Sequence, residues 1–352
     1  MKIALAYSSK LGLYNEYARR YPKKTGEAPE APAADCFAEG DTPETIEAVC
    51  AALRSCGHEV FPLEADIELA GVLLKIKPDM VFNIAEGLFG DSRESYVPMI
   101  CEKLSLPYTG SGPLTAGICL HKGRCKEILT ANRIANPPFL LFTDKDDIEF
   151  PNFRFPGIVK PVAEGSSKGI FDKSVADNAE TAKKLIKESL KKYNQSVILE
   201  EFLPGAEYTA AGIGNINDLE ILPLVGLDFT QLPNNAHKIY SYEAKWVWDT
   251  PKSPLRIFQC PAETGETLKE KIKQLIYKTF RALELRDWCR IDIRLDSRSE
   301  PNIIEVNPIP GILPNPEDNS CFPKAARAAG YSYAQIFEKV IESAKNRYTK
   351  GR

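Results

Sequence analysis

Two short segments near the C-terminus carry side chains whose types and spacing could do chemistry. In Cys289–Leu295 (CRIDIRL), the period of two of a strand puts Arg290, Asp292 and Arg294 on one face and Ile291, Ile293 and Leu295 on the other. In Asn302–Asn307 (NIIEVN), Glu305 and Asn307 share a face. Asp296–Pro301 reads as a turn, so the two strands are predicted to pair as a hairpin, bringing two carboxylates and an amide together. Like charges side by side on a sheet repel. A divalent cation such as Mg2+ removes that cost, because it takes such oxygens together with water and phosphate. A solvated polar face screened by Arg290 and Arg294 is the other reading.

Two further segments lie upstream. Phe155–Pro161 (FPGIVKP) reads as an apolar strand delivering Lys160, and VAEGSSKG follows it over Val162–Gly169. Backbone N–H groups and hydroxyls of such a loop can wrap a phosphate while a lysine supplies charge. The spacing is not that of a P-loop, and a flexible turn is the alternative. In Val197–Thr209 (VILEEFLPGAEYT), a strand runs through a connector into another strand. Extended backbone at Glu201–Leu203 could pair with an adenine edge, and Glu207 could accept from ribose hydroxyls. A plain hinge with surface acids reads equally well.

The elements that must position these groups are those of an α/β protein. Ile3–Tyr7, Val60–Leu63 and Met80–Ile84 read as strands. Between the first two, a helix is predicted to start at the cap Thr42 and Pro43, carry Ile46, Val49 and Leu53 on one face, and end at Gly57. Strand, helix, strand at this spacing predicts a parallel sheet, and no GxGxxG follows the first strand. Tyr21–Ala34, with three prolines, reads as a mobile loop. Further helices are expected around Lys122–Asn132, Asn178–Tyr193 and Glu263–Leu283, and a last one capped by Ser332. The longest uncharged stretch, Leu104–Leu120, holds glycines and prolines and reads as a loop, not a membrane span.

Composition narrows the class. At 352 residues, two or three domains are expected. A net charge of −3 argues against a basic nucleic-acid-binding surface. Nine scattered cysteines without a CxxC pair, and only three histidines, argue against a zinc cage and for a reducing cytoplasm.

The order of lysine and glycine loop, acid-rich hinge and paired carboxylates resembles the ATP-grasp superfamily, specifically the D-alanine–D-alanine ligase family. Further matches are Leu106–Gly112 (LPYTGSG), the Lys122…Lys126 helix, Tyr242–Lys245 (YEAK), Cys260–Ala262 (CPA) and Asn307–Gly311 (NPIPG). The resemblance spans about Thr42 to Ala344. It implies an ATP-grasp fold with an N-terminal Rossmann-like parallel-sheet domain (residues 1–111), a central lid domain (112–199) and a C-terminal domain (200–352). It implies ATP and two Mg2+ ions, with Mn2+ as a possible substitute, in a cytoplasmic homodimer acting on small amino acids or peptides. By motif match, Lys122 and Lys160 hold the phosphates, Glu200, Glu201 and Leu203 form the adenine hinge, and Glu207 takes the ribose. Lys245 belongs to the mobile loop that closes on the γ-phosphate. Asp292, Glu305 and Asn307 are the metal ligands, Glu305 bridging. Arg290 and the Gly311 N–H are the oxyanion donors.

The departures from the family pattern concern the amino-acid sites. Ser8–Tyr14 stands where the family has a glycine-rich stretch, and an insert follows near Tyr21–Gly40. Glu86-Gly87 replaces a His-Gly, so Glu86 is expected to hold a substrate ammonium. Trp246 replaces a tyrosine, so the loop's latch to Ser166 is expected to be rearranged, because an indole N–H donates but cannot accept. Pro308–Pro323 is longer than the family stretch, with Ser320 matching a serine that contacts the second substrate. His121 replaces an acid before Lys122. The default reading is a D-alanyl-D-alanine-forming, ADP-producing ligase. The alternatives are the same chemistry on other amino acids and a nucleotide-binding pseudoenzyme.

Overall fold

The computed structural model describes residues 1–22, 35–145, 147–249 and 255–350, without the side chains of Trp246 and Lys350. Most of Tyr21–Ala34, including two of its three prolines, therefore lies outside the described residues.

The described residues form three sheets. The N-terminal one is parallel, with Lys2–Tyr7 between Glu59–Glu64 and Met80–Asn83. Helix Pro43–Ser55 connects its first two strands; the Thr42 hydroxyl accepts from the Thr45 N–H, and Pro43 fills the first turn. A four-stranded antiparallel sheet runs in the order Phe139–Phe142, Val197–Glu201, Gly157–Pro161, Val175–Ala176. The third sheet centres on Glu207–Ile213, Trp288–Leu295 and Pro301–Asn307. The expected hairpin is present, and Asp292 stands directly opposite Glu305. A register shift follows, with Ile293 opposite Ile303. The Asp296 carboxylate closes the turn by accepting from the N–H groups of Arg298 and Glu300.

Helices Leu69–Ile76, Tyr96–Lys103 and Cys321–Ala328 go beyond the sequence reading, and two more bear on the site. Pro113–Leu120, the second half of the uncharged stretch read as a loop, is a helix. Proline at its first position fits a helix start, and Thr115, Ala116, Cys119 and Leu120 are buried. Lys10–Arg20 is also helical, capped by the Ser9 hydroxyl, which accepts from the Gly12 N–H. Only Leu13 of this helix is buried, so no apolar stripe marks it in the sequence.

One core joins the two ends of the chain. Ile3, Leu5, Val49, Leu53 and Phe82 from the N-terminal sheet pack with Trp288, Phe322, Phe337, Val340 and Ile341. The Phe82 ring meets Trp288 and Phe337 edge-on, with centroids 5.5 and 5.6 Å apart. No helix among the described residues is long and apolar enough to cross a membrane.

Candidate active site

A cavity of about 350 Å3 opens between the three sheets. Lys122, Lys160, Glu200, Glu201, Leu203, Glu207, Glu86, Ser166, Lys245, Arg290, Asp292, Glu305, Asn307, Gly311 and Ser320 all line it. Every residue given a site role by motif match, Trp246 apart, thus lines one chamber. Trp246 has its backbone in the short helical segment Ala244–Trp248, and its side chain is not described.

The lysines arrive from two elements. Lys122 opens helix Lys122–Ala131, where His121 Nδ1 accepts from the Arg124 N–H. His121, unexplained in the sequence, is therefore the helix cap. Lys122 Nζ lies 2.7 Å from Glu305 Oε1 and donates to the Glu164 carbonyl. One turn on, Lys126 Nζ lies 3.6 Å from Glu200. Lys160, on strand Gly157–Pro161, lies 2.9 Å from the other Glu200 oxygen. Burial opposes ionisation of Glu200, yet Lys126 and Lys160 hold its carboxyl below the usual range. Its side chain is thus engaged by the two lysines.

The hinge itself differs from the simple expectation. The N–H groups of Glu201 and Phe202 donate to the Pro138 and Pro156 carbonyls. The Leu203 carbonyl accepts from Arg294 Nε at 2.6 Å, and Arg294 Nη1 lies 2.7 Å from Glu207 Oε2. The guanidinium also stacks over Phe202 at 4.7 Å. Arg294, read from the sequence as a screening charge, instead braces this connector.

The hairpin acids are held by cations and hydroxyls. Asp292 accepts from Arg290 Nη2 at 2.9 Å, from the Thr209 hydroxyl at 2.8 Å and from Asn307 Nδ2 at 3.4 Å. Burial opposes the charge on Glu305, but Lys122 and then Arg290 bring its carboxyl down to about 2. Among the described residues no three His, Cys, Asp or Glu side chains are grouped to hold a metal. A cation here would need the amide of Asn307 beside the two carboxylates. That all-oxygen donor set, open to the cavity, fits a hard cation whose remaining ligands come from phosphate and water. Arg290 Nε is buried and has no acceptor. Burial and the Arg290 charge lower the pKa of Lys245.

Ser166 and Ser167 both have positive φ, 50° and 60°. Ser167 donates to the Tyr240 carbonyl at 2.8 Å, so this neighbour of Ser166 ties the loop to the segment that leads to Lys245. Asp249 closes that segment, accepting from the Leu255 N–H at 3.0 Å, the Tyr240 hydroxyl at 3.2 Å and Asn319 Nδ2. Ser320 Oγ is engaged by its own loop: it donates to the Gly311 carbonyl and accepts from the Leu313 N–H.

Sequence reading missed a buried network around the glycine–serine loop. Arg93 Nη2 lies 2.9 and 2.7 Å from the two Glu39 oxygens, and Nη1 donates to the Ala163 carbonyl at 2.6 Å. Glu39 also accepts from the Gly165 N–H at 2.6 Å. Lys168 lies 2.7 Å from Glu164 and 4.0 Å from Glu39. Asp35 accepts from the Gly169 N–H at 3.1 Å and from the Tyr193 hydroxyl at 2.7 Å. The described end of the insert thus grips both ends of the loop. The only sequence signal for it was the insert's acids beside a loop rich in backbone donors.

The family model for the D-ala D-ala ligase C-terminus matches residues 128–342. The D-alanine–D-alanine ligase of Aquifex aeolicus is 32% identical, covering 85% of this chain and 94% of its own length. An uncharacterized protein of Sinorhizobium fredii, y4sG, is 30% identical over 99% of this chain and 98% of its own. Among solved structures, a D-alanine–D-alanine ligase from Bacillus anthracis complexed with ATP superposes with a TM-score of 0.69 at 20% identity, covering the whole of both chains. The fold is therefore ATP-grasp, and the chain belongs to the D-alanine–D-alanine ligase family.

Proposed function

We propose that the protein is an ATP-dependent, ADP-forming ligase that joins an amino-acid carboxylate to an amine through an acyl phosphate. In the first step a carboxylate oxygen attacks the γ-phosphorus of ATP, and the β–γ bridging oxygen leaves with ADP. In the second, the amine of the other substrate attacks the acyl carbon. The C–O bond to phosphate breaks, the amine proton is lost, and an amide and inorganic phosphate remain. D-Alanyl-D-alanine is the default product by family. Glu86, which stands where the family has a histidine, favours a first substrate other than D-alanine.

The observation that carries this reading is the convergence of Lys122, Lys160, Lys245, Arg290 and the Asp292–Glu305 pair on one cavity. Phosphoryl transfer needs positioning and charge neutralisation more than a protein nucleophile. Lys122 and Lys160 hold the phosphates, Leu203 and its neighbours hold adenine, and Glu207 the ribose. Asp292, Glu305 and Asn307 would hold Mg2+, or Mn2+ in its place, which when bound neutralises triphosphate charge. Arg290, with its unpartnered Nε, and the Gly311 N–H receive the oxyanion of the acyl step. Closure of the Lys245 segment over the glycine–serine loop excludes water from the acyl phosphate. Glu86 holds the first ammonium, and the Ser320 loop the second substrate. The reading includes three units (1–111, 112–199, 200–352) and a cytoplasmic homodimer, both on family grounds.

The test is ADP release from MgATP across a panel of D- and L-amino acids, with product identified by mass. Amino-acid-dependent release with a dipeptide formed supports the ligase. Nucleotide binding with no amino acid stimulating turnover overturns it.

A further inference from the structure

The N-terminal wall of the cavity holds more carboxylates than one α-ammonium requires. Glu39, Asp41, Glu86 and Glu94 all line it. Glu39 is committed to Arg93, Lys168 and the Gly165 N–H. Asp41 has a backbone hydrogen bond from Ser8. Glu86 and Glu94 make no hydrogen bond or ion pair with any described residue. Glu94 is only 9% exposed, yet it borders the cavity.

Arg93, Lys122 and Lys245 lie close enough to act on these acids through space, yet Arg93 and Lys122 have tighter partners. Arg93 serves Glu39, Lys168 serves Glu164, and Lys122 sits on Glu305. Lys10, also on the cavity wall, is an exposed residue. A carboxylate taken out of water without a partner is costly. Burial, then Glu39 and Glu94, push the Glu86 carboxyl well above its ordinary range. A ligand bringing positive charge to both acids removes that cost.

We propose that Glu86 and Glu94 form a two-point cation subsite, so that the carboxyl-donating substrate is a short diamino acid with its α-ammonium on Glu86 and its second ammonium on Glu94. This rests on the ligase reading above. Lys245 and Arg290, which line the same cavity, receive the carboxyl end of the same molecule. Alanine would satisfy one of the two acids and leave Glu94 buried and unpaired, which is the basis of discrimination.

The experiment is calorimetric titration of the full chain, loaded with a non-hydrolysable ATP analogue and Mg2+. The ligands are D- and L-alanine, 2,3-diaminopropionate and ornithine, and ADP release from MgATP is measured with the same set. One diamino acid should bind at least tenfold more tightly than alanine of the same chirality and lead in kcat/KM. Glu94→Gln should reduce that ratio about tenfold, and Glu86→Gln should weaken every amino acid. Alanine binding as tightly as the diamino acids, or a ratio unmoved by Glu94→Gln, overturns the subsite while leaving the ligase intact. Nucleotide binding with no response to any amino acid overturns the ligase and the subsite together.

Discussion

Replacing Arg93 by methionine tests whether the end of the insert and the glycine–serine loop are one charged unit. The side chains of Arg93 and Glu39 are 4% and 2% exposed, so the substitution strands a carboxylate away from water. Breaking a buried pair from one side costs about 3–5 kcal/mol. Lys168 and the Gly165 N–H remain near Glu39, which points to the lower end, about 3 kcal/mol. At roughly 2–4 °C per kcal/mol, the melting temperature should fall by about 6–12 °C, read by calorimetry or near-ultraviolet dichroism. The Arg93→Met, Glu39→Gln double variant removes both charges and should recover at least half of that loss. Because Arg93 also holds the Ala163 carbonyl, the single variant should raise KM for ATP. A single variant within about 0.5 kcal/mol of the parent, the range of ordinary surface changes, would refute the reasoning. So would a double variant no more stable than the single.

Four further outcomes are expected. Glu305→Gln should reduce turnover by at least about a hundredfold, consistent with loss of electrostatic stabilisation in a dry site; near-normal ADP release would remove the hairpin from the mechanism. Lys160→Met should raise KM for ATP tenfold or more and lower stability, since it leaves the buried Glu200 with Lys126 alone, 3.6 Å away; isotope-dilution kinetics and melting read both effects. Asn319→Ala, which deletes donors to Asp249 and the Leu255 carbonyl, should lower kcat about 5–30-fold for the loss of one or two hydrogen bonds; an unchanged kcat would show that Asp249 needs no such partner. Burial pushes the Glu94 carboxyl up to about 7, against the pull of Arg93. The folded state therefore keeps a proton that the unfolded chain has lost, and this contribution fades as pH rises from the ordinary glutamate range through about 7. Melting temperatures between pH 5 and 8 should fall less steeply in Glu94→Gln; identical slopes would contradict this.

What was legible in the sequence follows physical range. The hairpin was readable because a strand's period of two is local, and it brought Asp292, Glu305 and Asn307 to one face; the structure adds that Asp292 stands opposite Glu305. Helix Pro43–Ser55 announced itself by cap, proline and apolar stripe. Helix Lys10–Arg20 did not, because one buried leucine makes no stripe. Helix Pro113–Leu120 was hidden by residues that also make loops. At the site, strand and loop residues were found, whereas Arg93, Glu39 and Asp35 were not. Arg93 lies 54 positions from Glu39, and Asp35 lies 134 from Gly169. No local pattern encodes contacts at that separation. The acceptors of the Glu201 and Phe202 N–H groups, Pro138 and Pro156, were unreadable for the same reason, since they come from other segments.

The core shared by the chain's two ends bears on the order of its birth. Ile3, Val49 and Phe82 leave the ribosome long before Phe337, Val340 and Ile341, against which they pack. Until helix Tyr333–Lys350 is released, the early strands display an oily face with nothing to cover it, a state prone to clumping. Premature termination anywhere before Tyr333 would leave that face permanently bare, so truncated products should be the ones that chaperones hold and proteases clear.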